Sequence, residues 1–196
     1  MIPISSINSR ATELRHFSRG CEINEARLSP VDFVRSIIPA NFEPEKPNPC
    51  HGTIERQEGF TMEAVRAIRT NDIAALRFML ASGVSFDACN SNGEYLIHLA
   101  CRRSEPETVK FLIDEAKVRL DVRDSMGRSI LHDLCWKSSP DLAMMAVVLR
   151  DVPPGLLLAK DARGFTPFDF SRKQHWNEWN QFLRVQHDFI LERLSE

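Results

Sequence analysis

Three copies of one short pattern constrain the fold of this chain more than any other feature. The segments GEYLIHLA, GRSILHDL and GFTPFDFS begin at Gly93, Gly127 and Gly164, so successive copies start 34 and 37 residues apart. A polar turn containing NSN, DSM or DAR precedes each copy. Self-similarity at a period of this size predicts stacked structural repeats.

Each copy is followed by a segment with apolar residues at three- and four-residue steps, namely ETVKFLIDEA, DLAMMAVVLR and WNEWNQFL. That spacing is typical of an amphipathic helix. A fourth, degenerate unit precedes the three copies. It consists of MEAVRAIR, a turn at Asn71 and Asp72, and IAALRFMLASG, with Gly83 at the position of a C-cap glycine. Each unit is therefore predicted to be a helix, a tight turn and a second helix.

These units resemble the ankyrin family, whose TPLHxA signature is matched by YLIHLA at 95–100, SILHDL at 129–134 and TPFDFS at 166–171. The resemblance covers about residues 60–186, or about four repeats. It implies an all-α fold, an ankyrin-type α-solenoid of stacked helix-turn-helix repeats joined by β-turn or hairpin loops. Two short antiparallel helices bury too little apolar area to be stable alone, so neighbouring repeats must complete the core.

The sequence departs from the family pattern in two places. An insertion with Pro-Pro-Gly at 153–155 predicts that the second helix of the third repeat ends early in a longer loop. In the last unit Asp169 replaces the signature histidine, and Arg172 and Lys173 stand where an inner repeat has smaller or more apolar residues. This is typical of a C-terminal cap with one solvated face.

Residues 1–58 are predicted to be a largely irregular N-terminal segment. Within it, SPVDFVRSII predicts a short helix over about 30–38, because Ser29 suits the N-cap and Pro30 the first helical position. The run EPEKPNPCHG at 43–52 predicts a proline-rich linker, since its prolines block a continuous helix.

The repeat domain is predicted to span 59–186, followed by a helical extension at 187–196. Trp176 and Trp179 lie one helical turn apart, and the apolar stripe they begin predicts a last helix that runs to about residue 193. The end of this stripe, FILERL, either packs back on the N-terminal helix or contacts a partner.

Charge and composition exclude several classes of function. The formal net charge is -2 and the pI is about 6.3, so the whole chain has no basic excess for nucleic acid or an anionic membrane. Five cysteines at irregular spacings without a CxxC pair indicate a reduced, intracellular setting, cytoplasmic or nuclear. The N-terminus lacks the apolar core of a signal peptide, and no 18-residue apolar run predicts a membrane span.

Two repeats contain H-x-x-C, namely His98 with Cys101 and His132 with Cys135. A zinc site would require ligands about 2.0 to 2.3 Å from one ion, whereas equivalent positions of stacked helices lie roughly 10 Å apart. The resemblance implies instead that these histidines stabilise the turns and that the cysteines pack between helices. We therefore expect no metal and no cofactor.

A Cys/His hydrolase, with His132 activating Cys135 and Asp133 orienting the imidazole, is a remote alternative. No nucleophile elbow, oxyanion loop or phosphate-binding glycine run accompanies these residues. We expect a chain that is not an enzyme and has no small-molecule substrate.

In the ankyrin family, partners contact the hairpin tips and the inner face of the first helices. Carried over repeat by repeat, these positions contain eight Lys or Arg and one acid, although Asp121, Asp124 and Asp161 lie near the tips. The residues predicted to bind a partner are Glu94, Arg102, Arg103, Arg123, Met126, Arg128, Trp136, Lys137, Arg163, Phe165 and Lys173.

The excess of basic residues predicts a groove for an acidic segment of another protein, with Trp136 as the kind of side chain that interface hot spots favour. The function predicted from the sequence is therefore a non-catalytic protein-interaction module or scaffold. The alternative is a nucleic acid or another polyanion bound by the same basic face, although aromatic side chains that stack on bases are sparse there.

Overall fold

A computed structural model describes residues 28–39, 42 and 58–194 of the chain. The predicted linker at 43–52 and most of the segment before it lie outside the described residues. The α-helices, numbered in chain order, are α1 Pro30–Ile37, α2 Met62–Arg69, α3 Ile73–Ala81, α4 Leu96–Arg103, α5 Pro106–Asp114, α6 Ile130–Trp136, α7 Leu142–Leu149, α8 Trp176–Val185 and α9 His187–Leu194. Short 3-10 turns occupy Pro154–Leu157, Pro167–Phe170 and Lys173–His175.

Local capping explains where several of these short helices begin. The backbone N–H of Ala64 donates to Oγ1 of Thr61 at 3.2 Å, and that of Met144 donates to Oδ1 of Asp141 at 3.0 Å. Helix α1 begins in the same way, since the N–H of Asp32 donates to Oγ of Ser29 at 3.2 Å. Each cap satisfies an N–H group that the helix itself leaves without a partner.

The helices form two rows. Helices α2, α4 and α6 and the turn Pro167–Phe170 pack side by side in an inner row, and helices α3, α5 and α7 pack side by side in an outer row. This arrangement confirms the predicted all-α solenoid. Among the described residues there is no β-strand, only isolated bridges between Cys89 and Tyr95 and between Arg123 and Ser129.

The turns between repeats are hairpin loops that touch each other. Gly93, Gly127 and Gly164 have φ angles of 68°, 73° and 87°, which glycine adopts without the steric cost that a Cβ would add. Ser125 N–H donates to the carbonyl of Asn92 at 3.0 Å, and Ala162 N–H donates to that of Met126 at 2.8 Å. Backbone hydrogen bonds therefore hold successive hairpins in register.

The insertion in the third repeat forms a buried turn. Helix α7 ends at Leu149, and the turn Pro154–Leu157 places Leu156 and Leu157 in the core. Helix α9 packs on this turn, and the guanidinium of Arg193 donates to the carbonyls of Arg150 and Val152.

The C-terminal helix is divided where the sequence predicted one continuous helix. Helix α8 ends at Val185, and α9 starts at His187 and packs on the insertion. The FILERL segment therefore contacts the third repeat, a packing that neither of the two sequence-based alternatives included.

Helix α1 closes the C-terminal end of the stack, because it packs on α8 and on the turn Pro167–Phe170. Nδ2 of Asn180 donates to the carbonyl oxygen of Leu28 at 2.9 Å, and the guanidinium of Arg184 lies 5.5 Å from the ring centroid of Phe33. Val31 and Val34 are buried. A segment that precedes the repeats thus occupies the end face that another repeat would cover.

The described part of the chain has no helix that is both long and apolar enough to cross a membrane.

Candidate functional site

The inner row of helices presents equivalent positions in successive repeats. His98, His132 and Asp169 occupy the same signature position, so the residues that follow them, Leu99, Asp133 and Phe170, form one line across the stack. A second line contains Arg102, Trp136 and Lys173, and a third contains Arg103, Lys137 and Gln174. We call the surface that these three lines form the inner face.

The first repeat joins the inner face through helix α2. Ala67 and Ile68 are buried, as are Ala100 and Cys101 one repeat later. This match aligns Arg66 with Leu99 and Arg69 with Arg102. Both arginines are exposed.

The C-terminal half of the inner face carries an aromatic cluster, which we define as Trp136, Phe165 and Phe170. Trp136 is 55% exposed and Phe165 is 46% exposed. The centroid of the Phe170 ring lies 5.2 Å from that of Trp136 and 6.0 Å from that of Phe165. The guanidinium of Arg163 lies 5.3 Å and 5.6 Å from the centroids of Phe165 and Phe170. Large apolar side chains are thus both exposed and held in place by one another.

Acidic residues of the chain itself engage four of the predicted basic contacts. Arg102 pairs with Glu94 of its own repeat, and its Nη1 lies 2.9 Å from Oδ1 of Asp133 in the next. The other three are also paired with nearby acids: Arg128 with Asp124 at 2.6 Å, Lys137 with Asp141 at 2.7 Å and Arg163 with Asp161 at 3.4 Å. The positive electrostatic potential of this surface is therefore weaker than the excess of basic residues in the sequence predicted.

The prediction that Arg123 contacts a partner is wrong, because this residue is 1% exposed. Its Nη1 donates to the carbonyl of Gly127 at 3.2 Å and lies 3.5 Å from that of Lys160, so the guanidinium satisfies buried hairpin carbonyls. The hairpin position that was expected to point outward turns inward. Cys89, at the equivalent position one repeat earlier, is also buried.

The other predicted contacts lie at or near the surface. Arg103 is exposed, Met126 is 44% exposed at a hairpin tip, and Lys173 is exposed with its Nζ 5.9 Å from the ring centroid of Trp176. Arg103, Trp136, Lys137 and Lys173 belong to the inner face, whereas Met126, Arg163 and Phe165 come from the hairpins.

Sequence reasoning missed Arg66 and Arg69. Within the part of the chain that the structure describes, no ion pair involves Arg66, Arg69 or Arg103. The first repeat lacks the histidine signature, so its register could not be read from that motif. The small and apolar pair Ala67 and Ile68, which matches Ala100 and Cys101, was the available signal.

The signature histidines connect neighbouring repeats. Nδ1 of His132 accepts from the N–H of Ser129 at 3.1 Å, and Nε2–H donates to the carbonyl of Phe165 in the next repeat at 3.1 Å. His98 makes the equivalent contacts with Tyr95 N–H and the carbonyl of Arg128. Burial lowers the pKa of His132 to about 4, so the ring is neutral at neutral pH.

These contacts do not form the nucleophile and base of a hydrolase. Both nitrogens of His132 are engaged by backbone groups, and Asp133 pairs with Arg102 rather than orienting the imidazole. Burial raises the pKa of the Cys135 thiol well above its usual range. A buried thiol without a base is a poor nucleophile.

Across residues 28–39, 42 and 58–194, no group of three or more His, Cys, Asp or Glu side chains is arranged to hold a metal ion.

Comparison with known proteins shows what the repeats are similar to. Residues 62–147 match the family model of ankyrin repeats in three copies. Among solved structures, the fold is similar to the ankyrin repeat domain of Bcl-3, described as a unique member of the IkappaB protein family, with 20% sequence identity and a TM-score of 0.52. This match covers 64% of this chain and 57% of that one, and at this identity it shows the fold alone. No curated protein matches the sequence.

Proposed function

Because residues 62–147 of this chain match the family model of ankyrin repeats, we propose that it is a non-catalytic protein-interaction module that binds a segment of another protein along the inner face. The inner row of helices forms a continuous surface that crosses all four repeats. Such extended surfaces are the usual binding sites of solenoid proteins.

The observation that carries this proposal is the exposure of Trp136. More than half of this large apolar side chain is open to solvent, although the other apolar residues of helix α6, Ile130, Leu131, Leu134 and Cys135, are at most 2% exposed. Its ring packs on that of Phe170, with the centroids 5.2 Å apart. An exposed cluster of large aromatic side chains is the kind of surface that interface hot spots favour.

The partner that we propose is acidic. Its carboxylates would pair with Arg66, Arg69 and Arg103, which the ion pairs of the described chain leave available. Arg102, Lys137 and Arg163 contribute less attraction, since each already has an acidic neighbour.

The test is affinity capture from a lysate with the full chain as bait, followed by titration of the purified partner. We expect Trp136→Ala to lose the captured partner and to weaken its binding by about 2 kcal/mol or more. Phe78→Ala is the matched control, because Phe78 is a 74% exposed aromatic residue on the outer helix α3.

If Phe78→Ala releases the partner and Trp136→Ala does not, the binding surface lies outside the inner face. If nuclease treatment of the lysate removes every captured molecule, a nucleic acid is the ligand instead.

A further inference from the structure

The inner face divides into two chemically different parts. Its N-terminal part carries an arginine cluster, defined as Arg66, Arg69 and Arg103, whose members are all exposed. Its C-terminal part carries the aromatic cluster, with Trp136 at 55% exposure. The arginine cluster lies on α2 and α4, and Trp136 of the aromatic cluster lies on α6, the next helix of the inner row.

A charge-compensated strip lies between the two parts. Arg102 is held between Glu94 and Asp133, and Asp133 is 4% exposed. Because these charges already satisfy one another, the strip offers a partner little electrostatic attraction. The exposed arginines of the inner face that have no ion pair among the described residues are thereby confined to α2 and the end of α4.

Two of the three other basic side chains near the aromatic cluster are paired with acids, and the third, Lys173, lies with its Nζ 5.9 Å from the ring centroid of Trp176. Lys137 pairs with Asp141, and Arg163 is held by Asp161 and stacked on Phe165 and Phe170. A carboxylate beside Trp136 would therefore compete with acids that are already in place. An apolar side chain would instead lose exposed area against the indole, which is favourable.

We infer that the occupant of the inner face is a single linear peptide segment with two determinants: an acidic cluster that binds the arginine cluster, and a bulky apolar side chain that binds the aromatic cluster. This inference rests on the proposed function and specifies the chemistry of the partner.

The repeat geometry sets the distance between the two determinants. Neighbouring inner helices pack about 8 to 10 Å apart, so Trp136 lies about 10 Å along the stack from Arg103 and about 20 Å from Arg69. An extended chain rises about 3.3 Å per residue. About three to six residues therefore separate the acidic cluster from the apolar side chain.

A nucleic acid fits this arrangement less well. Its phosphates are regularly spaced and would meet available arginines only on α2 and α4 and then the acidic side chains of Glu94 and Asp133. A peptide can place its charges at one end only.

The test is selection of random 16-residue peptides displayed on phage against four forms of the full chain. These forms are the natural sequence, Arg69→Glu with Arg103→Glu, Trp136→Ala, and the control Lys110→Glu with Lys117→Glu. The control makes the same change in net charge at two exposed lysines on and after the outer helix α5. Thermal unfolding of each form confirms that it is folded before selection.

We expect the natural and control chains to select peptides with at least two acids placed about three to six residues from Trp, Phe, Leu or Met. Peptides selected by the Arg69→Glu, Arg103→Glu variant should keep the apolar residue but show no preference for acids. Peptides selected by Trp136→Ala should keep the acids but show no preference for the apolar residue. For one synthetic selected peptide, the arginine variant should weaken binding roughly tenfold or more at low salt, with a smaller effect at high salt. The effect of Trp136→Ala should depend little on salt.

Selected peptides that carry only one determinant, or carry the two at other spacings, would overturn this inference. The proposed function would then stand as long as Trp136→Ala abolishes their binding. Peptides that bind all four forms equally would overturn both. A selection that yields no binding peptide would overturn the linear-segment inference alone, because capture of a folded partner tests the proposed function separately. If a single-stranded 20-nucleotide DNA competes with the best peptide and binds with the same affinity, the inference is wrong and the ligand of the inner face is a polyanion.

Discussion

The guanidinium of Arg102 reaches across a repeat boundary to Asp133, with Nη1 2.9 Å from Oδ1. Asp133 is 4% exposed, and within the described residues its Oδ2 has no hydrogen-bond partner. Burial raises the pKa of this carboxyl, against the attraction of Arg102. A residue that the sequence predicted to attract a partner thus has a structural role between two repeats.

We expect Arg102→Gln to destabilise the protein by about 2 kcal/mol or more, because it leaves a buried carboxylate without its cation. Adding Asp133→Asn should restore part of the loss, since the double variant has no buried charge to compensate. Arg103→Gln, on the exposed side of the same helix, should change stability by less than about 0.5 kcal/mol. Urea unfolding of the four proteins measures these differences, and equal losses for Arg102→Gln and Arg103→Gln would contradict the structural role.

The protein should lose stability as the pH falls from about 6.5 to about 4. The folded pKa of His132 is lowered to about 4 from the ordinary value of 6.5, so in this range the unfolded chain binds a proton that the folded chain excludes. The contribution of His132 is complete above pH 6.5, and up to about 3 kcal/mol of it is lost by pH 4. NMR of the imidazole should find His132 neutral at pH 5.5, and His132→Asn should flatten the dependence of unfolding free energy on pH. A ring that titrates near 6.5 would disprove the assignment.

Helix α1 should stabilise the repeats although it lies outside them in sequence. Val34 is fully buried against the C-terminal end of the stack, so Val34→Asp places a charge in that contact and should detach the helix. We expect a melting temperature several degrees lower and a red shift in the fluorescence of Trp179, which is 2% exposed in the intact protein. Ser36→Asp, at an exposed position of α1, is the control. An unchanged melting temperature for Val34→Asp would show that α1 contributes nothing.

The cysteines of the repeats should resist thiol reagents in the folded protein. Cys89, Cys101 and Cys135 are buried, and burial raises the pKa of the Cys101 and Cys135 thiols. With Cys21 and Cys50 replaced by serine, we expect no reaction with Ellman's reagent until urea unfolds the chain, when all three thiols react. Rapid labelling of Cys135 in the folded chain would revive the hydrolase hypothesis.

The repeat pattern was sufficient to predict the helices of the first three repeats, because these depend on local physics. It did not predict that the last unit begins with the 3-10 turn Pro167–Phe170 or that the last helix is divided after Val185. Thr61 and Asp141 cap the helices that follow them, and Gly127 permits the turn that begins the second copy of the signature. The exposure of Trp136 followed from the same register. A capping side chain or a glycine acts on residues only a few positions away, so its effect is visible in the sequence.

Tertiary structure alone decided which charges remain available and what closes the end of the stack. The sequence predicted the same partner-binding role for Arg102 and Arg123. In the structure, Arg102 pairs with Asp133 of the next repeat, whereas Arg123 is buried against the carbonyls of Gly127 and Lys160. Leu28 and Asn180 meet across most of the chain. An ion pair or a docking contact depends on distances between residues that are far apart in sequence. The repeat pattern therefore determined the fold of this protein, and only the packing of one repeat on the next determined the chemistry of its inner face.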